Sequence, residues 1–303
     1  MPSQIAAQTP TVCVTNAKGG TGKTTIAINV AGALNERGHD VLFVDIDPQG
    51  NATEGLGLLD AYDAEPPTLF DILTDHAVRD SVGELIVEHE EMDVLPSSID
   101  LLQAEHELTI ADLVAWTKTD DSVAVDPADL GQLAINITPE AITGEHALDS
   151  LDQTLAELDT EYDYIIIDSP PFYGKLTDTA IYAAQNVLVP ALTEATSERA
   201  IELLIDQIAA LEGQVDITVE TVGVVANRVE QTNEDATMLS WLNEVFEDYP
   251  LWEVRKRVAL QRAFSAGTSI FAYEQQVDME DVFLDIAKQF ETHFEREPQE
   301  VTA

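Results

Sequence analysis

One nine-residue window holds the residue types and spacing best suited to chemistry: Ala17-Lys18-Gly19-Gly20-Thr21-Gly22-Lys23-Thr24-Thr25. Glycines at 19, 20 and 22 let the backbone curl so that successive N–H groups face phosphate oxygens, and a helix starting behind them adds the positive end of its dipole. In such a loop Lys23 sits on the β- and γ-phosphates, the Thr24 hydroxyl ligates Mg2+, and Thr21 and Thr25 complete the cradle. The strict pattern GxxxxGK[ST] departs at its first glycine, which is Ala17 here, and the next residue is a second lysine, Lys18. Only 14 of the 303 residues are Lys or Arg, so two lysines set among three glycines are not incidental.

Two further segments run apolar residues into acid: Val41-Leu42-Phe43-Val44-Asp45-Ile46-Asp47-Pro48 and Tyr164-Ile165-Ile166-Ile167-Asp168-Ser169-Pro170. Each alone is a common pattern. Beside a phosphate loop they supply what phosphoryl transfer to water needs, a carboxylate to orient the water and a site for the metal that bridges the phosphates.

The elements that must position these groups follow from hydrophobic periodicity. Strands are expected at Val12–Thr15, Val41–Val44, Met92–Leu95, Tyr164–Ile167, Asn186–Val189 and Thr221–Ala226, several of them short apolar runs of the kind parallel strands show when both faces are covered. A helix from about Lys23 to Arg37 stacks Ile26, Val30 and Leu34 on one face and stops at Gly38. Strands alternating with helices predict an α/β fold, a mostly parallel twisted sheet flanked by helices on both faces, with ligands at the carboxyl ends of the strands. Residues 1–303 read as one domain with a surface insertion without regular structure at about 112–150. At the end, Asp278–Glu295 places Val282, Ile286, Phe290 and Phe294 on one helical face, with Asp278 as N-cap.

Composition bounds the setting. There are 57 Asp and Glu against the 14 basic residues, a formal charge of −43, yet 45% of residues are hydrophobic, which a disordered acidic chain lacks. Such a surface is expected in a very salty cytoplasm, because at ~1 M salt the Debye length is only about 3 Å and carboxylate repulsion fades. Residues 1–11 have no basic or apolar leader character, and no apolar run approaches the ~20 residues of a membrane span, so a cytoplasmic location is expected. Cys13, the single cysteine, sits in an apolar strand and excludes a disulfide framework or CxxC metal site.

The loop KGGTGKTT, the run DIDPQGNATEGLG, and the segments PTLFDIL, LPSSIDLLQAEHEL, YDYIIIDSPP, VANR and RAFSAGTSIFAYE together resemble the ParA/Soj-type partition ATPases, P-loop NTPases with a deviant Walker A motif in the superfamily that also holds MinD. The resemblance implies ATP and Mg2+ as cofactors. It also implies roles residue by residue. Lys18 corresponds to the lysine that crosses a nucleotide-sandwich homodimer, Lys23 and Thr24 to the Walker A lysine and metal ligand, and Asp47 to the carboxylate that positions the hydrolytic water. Asp45 would support the metal site, Asp168 would act on the metal as the Walker B acid, and Asn227 would read the adenine edge. Slow ATP hydrolysis, non-specific binding of double-stranded DNA by the ATP dimer, nucleoid association and a ParB-like stimulating partner are the implied properties.

A charge of −43 repels nucleic acid unless it is locally reversed. Arg255, Lys256, Arg257 and Arg262 place 4 of the 14 basic residues within eight positions, where the family carries DNA-contacting basic residues, and they are the expected DNA site. Ala259 replaces an arginine of the usual family segment. A MinD-like positioning ATPase for a membrane or protein cargo is the alternative, but a membrane helix wants Lys and Arg on its polar face, and the C-terminal helix carries Glu280, Asp281, Asp285, Glu291 and Glu295 there. A redox relative such as the nitrogenase iron protein needs cluster-ligating cysteines that Cys13 alone does not supply.

Overall fold

The computed structural model describes residues 9–119, 125–142, 147–171, 173–230, 232–275 and 277–295. Residues 1–8 of the leader reading, 120–124 and 143–146 of the 112–150 stretch, and the acidic end 296–303 lie outside the described residues.

In chain order the elements are β1 (Thr11–Val14), α1 (Lys23–Glu36), β2 (Val41–Asp45), α2 (Asn51–Gly55), α3 (Leu59–Tyr62), α4 (Leu69–Thr74), β3 (Val87–Glu88), β4 (Asp93–Leu95), α5 (Ala104–Thr119), α6 (Pro127–Gly131) and α7 (Ser150–Leu155). They continue with β5 (Tyr164–Asp168), α8 (Lys175–Ala184), β6 (Asn186–Leu192), α9 (Thr196–Gln214), β7 (Glu220–Val229), α10 (Asn233–Val245), β8 (Leu251–Arg255), α11 (Val258–Ser265) and α12 (Glu280–His293). One eight-stranded sheet runs in the order β3-β4-β2-β5-β1-β6-β7-β8. Every pairing is parallel except that of the short edge strand β3 with β4.

Strand residues alternate between two cores. Val12, Val14, Val41 and Phe43 pack with Ile26, Val30 and Leu34 of α1 and Phe283, Ile286 and Phe290 of α12 on one face. Cys13, Leu42 and Val44 pack with α4, α5, α7 and α8 on the other. Both faces being covered is why these strands read as continuous apolar runs. Each such side chain, when fully buried, contributes about 1.5–3 kcal/mol, and the sheet becomes a rigid platform whose carboxyl edge carries the polar residues.

Two sequence expectations are corrected, and one strand goes unread in the sequence. The 112–150 stretch is not uniformly irregular: α5 continues to Thr119, and Val114, Ala115, Ile137, Ile142 and Leu148 are buried in the core. Its backbone is anchored by the buried Glu107, whose Oε1 accepts from the N–H of Ile135 (2.7 Å) and Oε2 from those of Asn136 (3.1 Å) and Ile137 (3.2 Å). Asp278 does not cap α12. Met279 occupies that position without a side-chain cap, because the Asp278 carboxylate is taken by Arg257. Finally, β8 was hidden in the sequence by its charges. Trp252 and Val254 face the core while Glu253 and Arg255 face out, a strand with one covered face at the sheet edge.

Candidate functional site

Five strands deliver polar residues to one edge. β1 leads into the loop Thr15–Gly22, β2 and β5 end on Asp45 and Asp168, β7 carries Asn227, and β8 ends at Arg255. The loop needs glycine at two points, with φ of 77° at Gly20 and 89° at Gly22, a left-handed backbone that a Cβ opposes. At Gly22 a Cβ would also lie 2.1 Å from the Asn227 amide nitrogen. Gly22 then opens α1 as its N-cap, so the free N–H groups of the first turn face the loop.

A cavity of about 390 Å³ lies over this loop, lined by Gly20, Gly22, Lys23, Thr24, Thr25, Asp47 and Asn227 on one side and Arg228, Arg255, Lys256, Arg257 and Phe264 on the other. Lys23 is buried and donates to the Asn16 carbonyl at 3.3 Å. Burial pushes its ammonium pKa down, opposed by the negative charges of Asp168 and Asp47.

The acids divide the work. Asp45 and Asp168 are register partners on β2 and β5, and both are fully buried. Asp45 is committed to its own loop: Oδ2 accepts from the Thr53 N–H (2.8 Å) and hydroxyl (2.7 Å), and Oδ1 from the Asp47 N–H (3.2 Å). Burial first, and Asp47 besides, push its pKa up to about 7 against these hydrogen bonds. Both Asp168 oxygens are buried and, among the described residues, have no hydrogen-bond partner. Burial, then the neighbouring Asp45, holds Asp168 well above the usual carboxylate range, while Thr24 and Lys23 act to lower it. Orphaned buried carboxylate oxygens beside a threonine hydroxyl suit a divalent cation, whereas Asp45, already satisfied, suits a structural clamp. Asp47, 5% exposed, accepts the Gln49 N–H at 3.0 Å, and its carbonyl accepts the Ser97 hydroxyl at 2.6 Å. It borders the nucleotide-sized cavity and a second, more apolar one of about 380 Å³ formed with Pro48, Leu102, Tyr173 and Leu176.

Not every sequence candidate joins this group. Lys18 does not line the cavity. Its Nζ donates instead to Glu194 Oε2 (3.0 Å) and the Thr196 hydroxyl (2.7 Å) at the start of α9. Asn227 donates from Nδ2 to the Thr21 carbonyl at 2.8 Å and accepts the Arg228 N–H at 2.9 Å, so it braces the loop while bordering the cavity. Arg255, Lys256 and Arg257 turn out to face the same cavity as Lys23, and Arg262 does not. Lys256 pairs with Glu230 at 2.9 Å and Arg257 with Asp278 at 2.6 Å. Arg255 and Arg262 form no ion pair among the described residues.

Sequence reasoning passed over Thr53, Ser97, Glu194 and Arg228. Thr53 and Ser97 stand in the segments DIDPQGNATEGLG and LPSSIDLLQAEHEL; Thr53 bonds Asp45 eight residues before it in the same segment, whereas Ser97 bonds the Asp47 carbonyl fifty residues away. Glu194 is one of 57 acidic residues and carries no local signal.

Residues 12–270 match the family model for the CobQ/CobB/MinD/ParA nucleotide binding domain. The sporulation initiation inhibitor protein Soj of Bacillus subtilis is 32% identical over 281 residues, covering 92% of this chain and 96% of Soj. The chromosome partitioning protein ParA of Caulobacter vibrioides is 27% identical over 285 residues, 92% of each chain. Among solved structures, a Cyanothece McdA variant in complex with ATP superposes with a TM-score of 0.71 at 21% identity, over 97% of this chain and 99% of McdA. Cobyrinic acid a,c-diamide synthase from Mycobacterium smegmatis, with bound ATP analog and magnesium, gives 0.70 at 24% identity over 97% and 100%. These two likenesses show the P-loop NTPase fold. A phosphate loop with its buried lysine at the carboxyl edge of that fold, and homologues of partition ATPases spanning nearly its whole length, make this chain a member of the CobQ/CobB/MinD/ParA nucleotide-binding family, of the ParA/Soj kind.

Proposed function

We propose that this protein is an ATP-hydrolysing partition ATPase that dimerises on ATP, binds double-stranded DNA without sequence preference in that state, and is reset by hydrolysis stimulated by a ParB-like partner. One observation carries the reading: a buried lysine and a left-handed glycine loop at a helix N-terminus line one cavity, and the buried Asp168 carboxylate lies within electrostatic reach of that lysine and of Thr24. Relatives named chromosome-partitioning ATPase Soj (Treponema pallidum) and chromosome partitioning protein ParA (Caulobacter vibrioides) support the same reading.

Lys23 and the N–H groups of Gly20–Thr25 hold the triphosphate. Thr24 and Asp168 would hold Mg2+, which would supply neutralising charge to the phosphates. Asp47, fixed by the Gln49 N–H, orients the attacking water, and Asp45 clamps the loop that carries Asp47. Asn227 borders the adenine, and Lys18 reaches the partner's nucleotide in a two-fold sandwich. Arg255, Lys256, Arg257 and Arg262 contact DNA. Two of these four are ion-paired within the chain, and the dimer doubles the number presented to phosphates.

The test is ATP-dependent DNA retention measured in molar KCl with the Asp47→Ala protein. Retention with ATP, none with ADP, and loss on changing Arg255, Lys256, Arg257 and Arg262 together to Gln are expected. Retention that ignores the nucleotide, or survives the fourfold change at matched salt, overturns the DNA assignment. A Lys23→Ala protein that hydrolyses ATP normally overturns the nucleotide site.

A further inference from the structure

Lys18 is the one lysine of the phosphate loop whose side chain does not line the cavity over it. Its backbone is fixed: the Lys18 N–H donates to Asn16 Oδ1 at 2.9 Å, and Asn16 Nδ2 donates to the Pro190 carbonyl at 2.6 Å, locking the loop onto β6. Only the side chain is left to move. It runs to the start of α9, where its ammonium meets Glu194 Oε2 at 3.0 Å and Thr196 Oγ1 at 2.7 Å.

That resting place is electrostatically odd. A helix N-terminus carries the positive end of the dipole and disfavours a cation, so the ammonium is held there by Glu194 and Thr196 against the helix. The Glu194 side chain is 62% exposed and that of Lys18 24%, so the pair is solvated and weakly bound. Glu194 stays ionised readily, its pKa lowered by Lys18 and also by Arg228. A contact this weak loses to a polyphosphate.

We infer that Glu194 and Thr196 are positioning residues that hold Lys18 within its own subunit until nucleotide in a second copy of this chain competes for its ammonium. The inference rests on the proposed role of Lys18 in the ATP dimer. Each dimerisation event then breaks two such contacts, one per subunit, and the ATP needed for dimerisation is set partly by Glu194.

Two readouts on the full chain test this, with Glu202→Gln as control, since it removes the same charge within α9, where Glu202 pairs with Arg199 and not with Lys18. The first is acylation of the Lys18 ε-amine by N-hydroxysuccinimidyl acetate without nucleotide, read by peptide mass spectrometry against Lys288 of the same molecule. The second is sedimentation across a series of a non-hydrolysable ATP analogue with Mg2+. Glu194→Gln is expected to speed Lys18 acylation about two- to fivefold and to lower the half-dimerisation concentration by a similar factor, the range of an exposed ion pair. Glu202→Gln changes neither, and at ~1 M KCl the difference between wild type and Glu194→Gln narrows. Unchanged acylation, or an unchanged or raised half-point, while Lys18→Ala no longer dimerises, overturns the holding role and leaves the ATP dimer standing. If Lys18→Ala dimerises as wild type does, the proposed role of Lys18 fails and this inference falls with it.

Discussion

Replacing Gly22 with alanine puts the loop geometry to a quantitative test. The left-handed φ of 89° costs an L-residue about 1–2 kcal/mol, and the new Cβ would stand 2.1 Å from Asn227 Nδ2. Asn227 is buried, so its amide must give way and lose the 2.8 Å bond to the Thr21 carbonyl, about 1 kcal/mol more. The expected loss for Gly22→Ala is therefore about 2–3 kcal/mol. Asn227→Ala removes the same hydrogen bond and also the clash, so the double variant costs less than the sum of the two singles by about 1 kcal/mol. Urea unfolding without nucleotide, at fixed KCl, measures all four corners of this cycle, and ATP binding by the same proteins reads the effect on the loop. Costs that add to within about 0.3 kcal/mol refute the close approach of Asn227 to Gly22. A Gly22→Ala protein as stable as wild type refutes the strain as well.

The buried Glu107 makes a second case. Glu107→Gln weakens its three contacts to the N–H groups of 135–137, and hydrogen exchange at those amides is expected to accelerate at least about tenfold, the equivalent of ~1.4 kcal/mol, while amides of β5 keep their protection. Arg37 grips Glu291 by two bonds of 2.7 and 2.6 Å and thereby ties α1 to α12, with His39 on the same carboxylate at 2.9 Å. Arg37→Ala leaves Glu291 buried without its main partner and is expected to cost about 3–5 kcal/mol in urea unfolding, whereas changing both residues to Met costs much less. For pH, the Thr193 hydroxyl and then the Thr232 backbone hold Asp235 down at about 2 against an ordinary 3.8. A depressed folded pKa means stability that is fully present above pH ~4 and is lost as pH falls toward ~2, so Asp235→Asn should flatten that part of the acid-unfolding curve relative to wild type.

Much of the nucleotide site can be read along the chain because its parts are contiguous. The order glycine loop, lysine, threonine and helix is a local pattern, and an apolar run ending in Asp marks a covered parallel strand arriving at the ligand edge. Which hydrogen bonds a side chain makes is not legible along the chain, even where the partner lies only eight residues away, as Thr53 does from Asp45. Asp45 and Asp168 look alike in sequence, yet one is saturated by Thr53 and Asp47 and the other has both oxygens unpaired. Glu107 and Glu291 are buried anchors among 57 acids that otherwise suggest solvated surface.

The basic residues show the same division. Their scarcity against a charge of −43 marks the phosphate loop and the 255–262 segment as the places to look. That Arg255, Lys256 and Arg257 border the same cavity as Lys23, and that Lys18 faces Glu194, follow from the strand order β5-β1-β6-β7-β8, which brings the ends of β1, β7 and β8 to one edge. Local propensity and residue type act over a few positions and so are written in the chain. Which carboxylate meets which cation, and which is left for a metal, depends on sheet order and register, which the apolar runs leave open because one parallel buried strand resembles another.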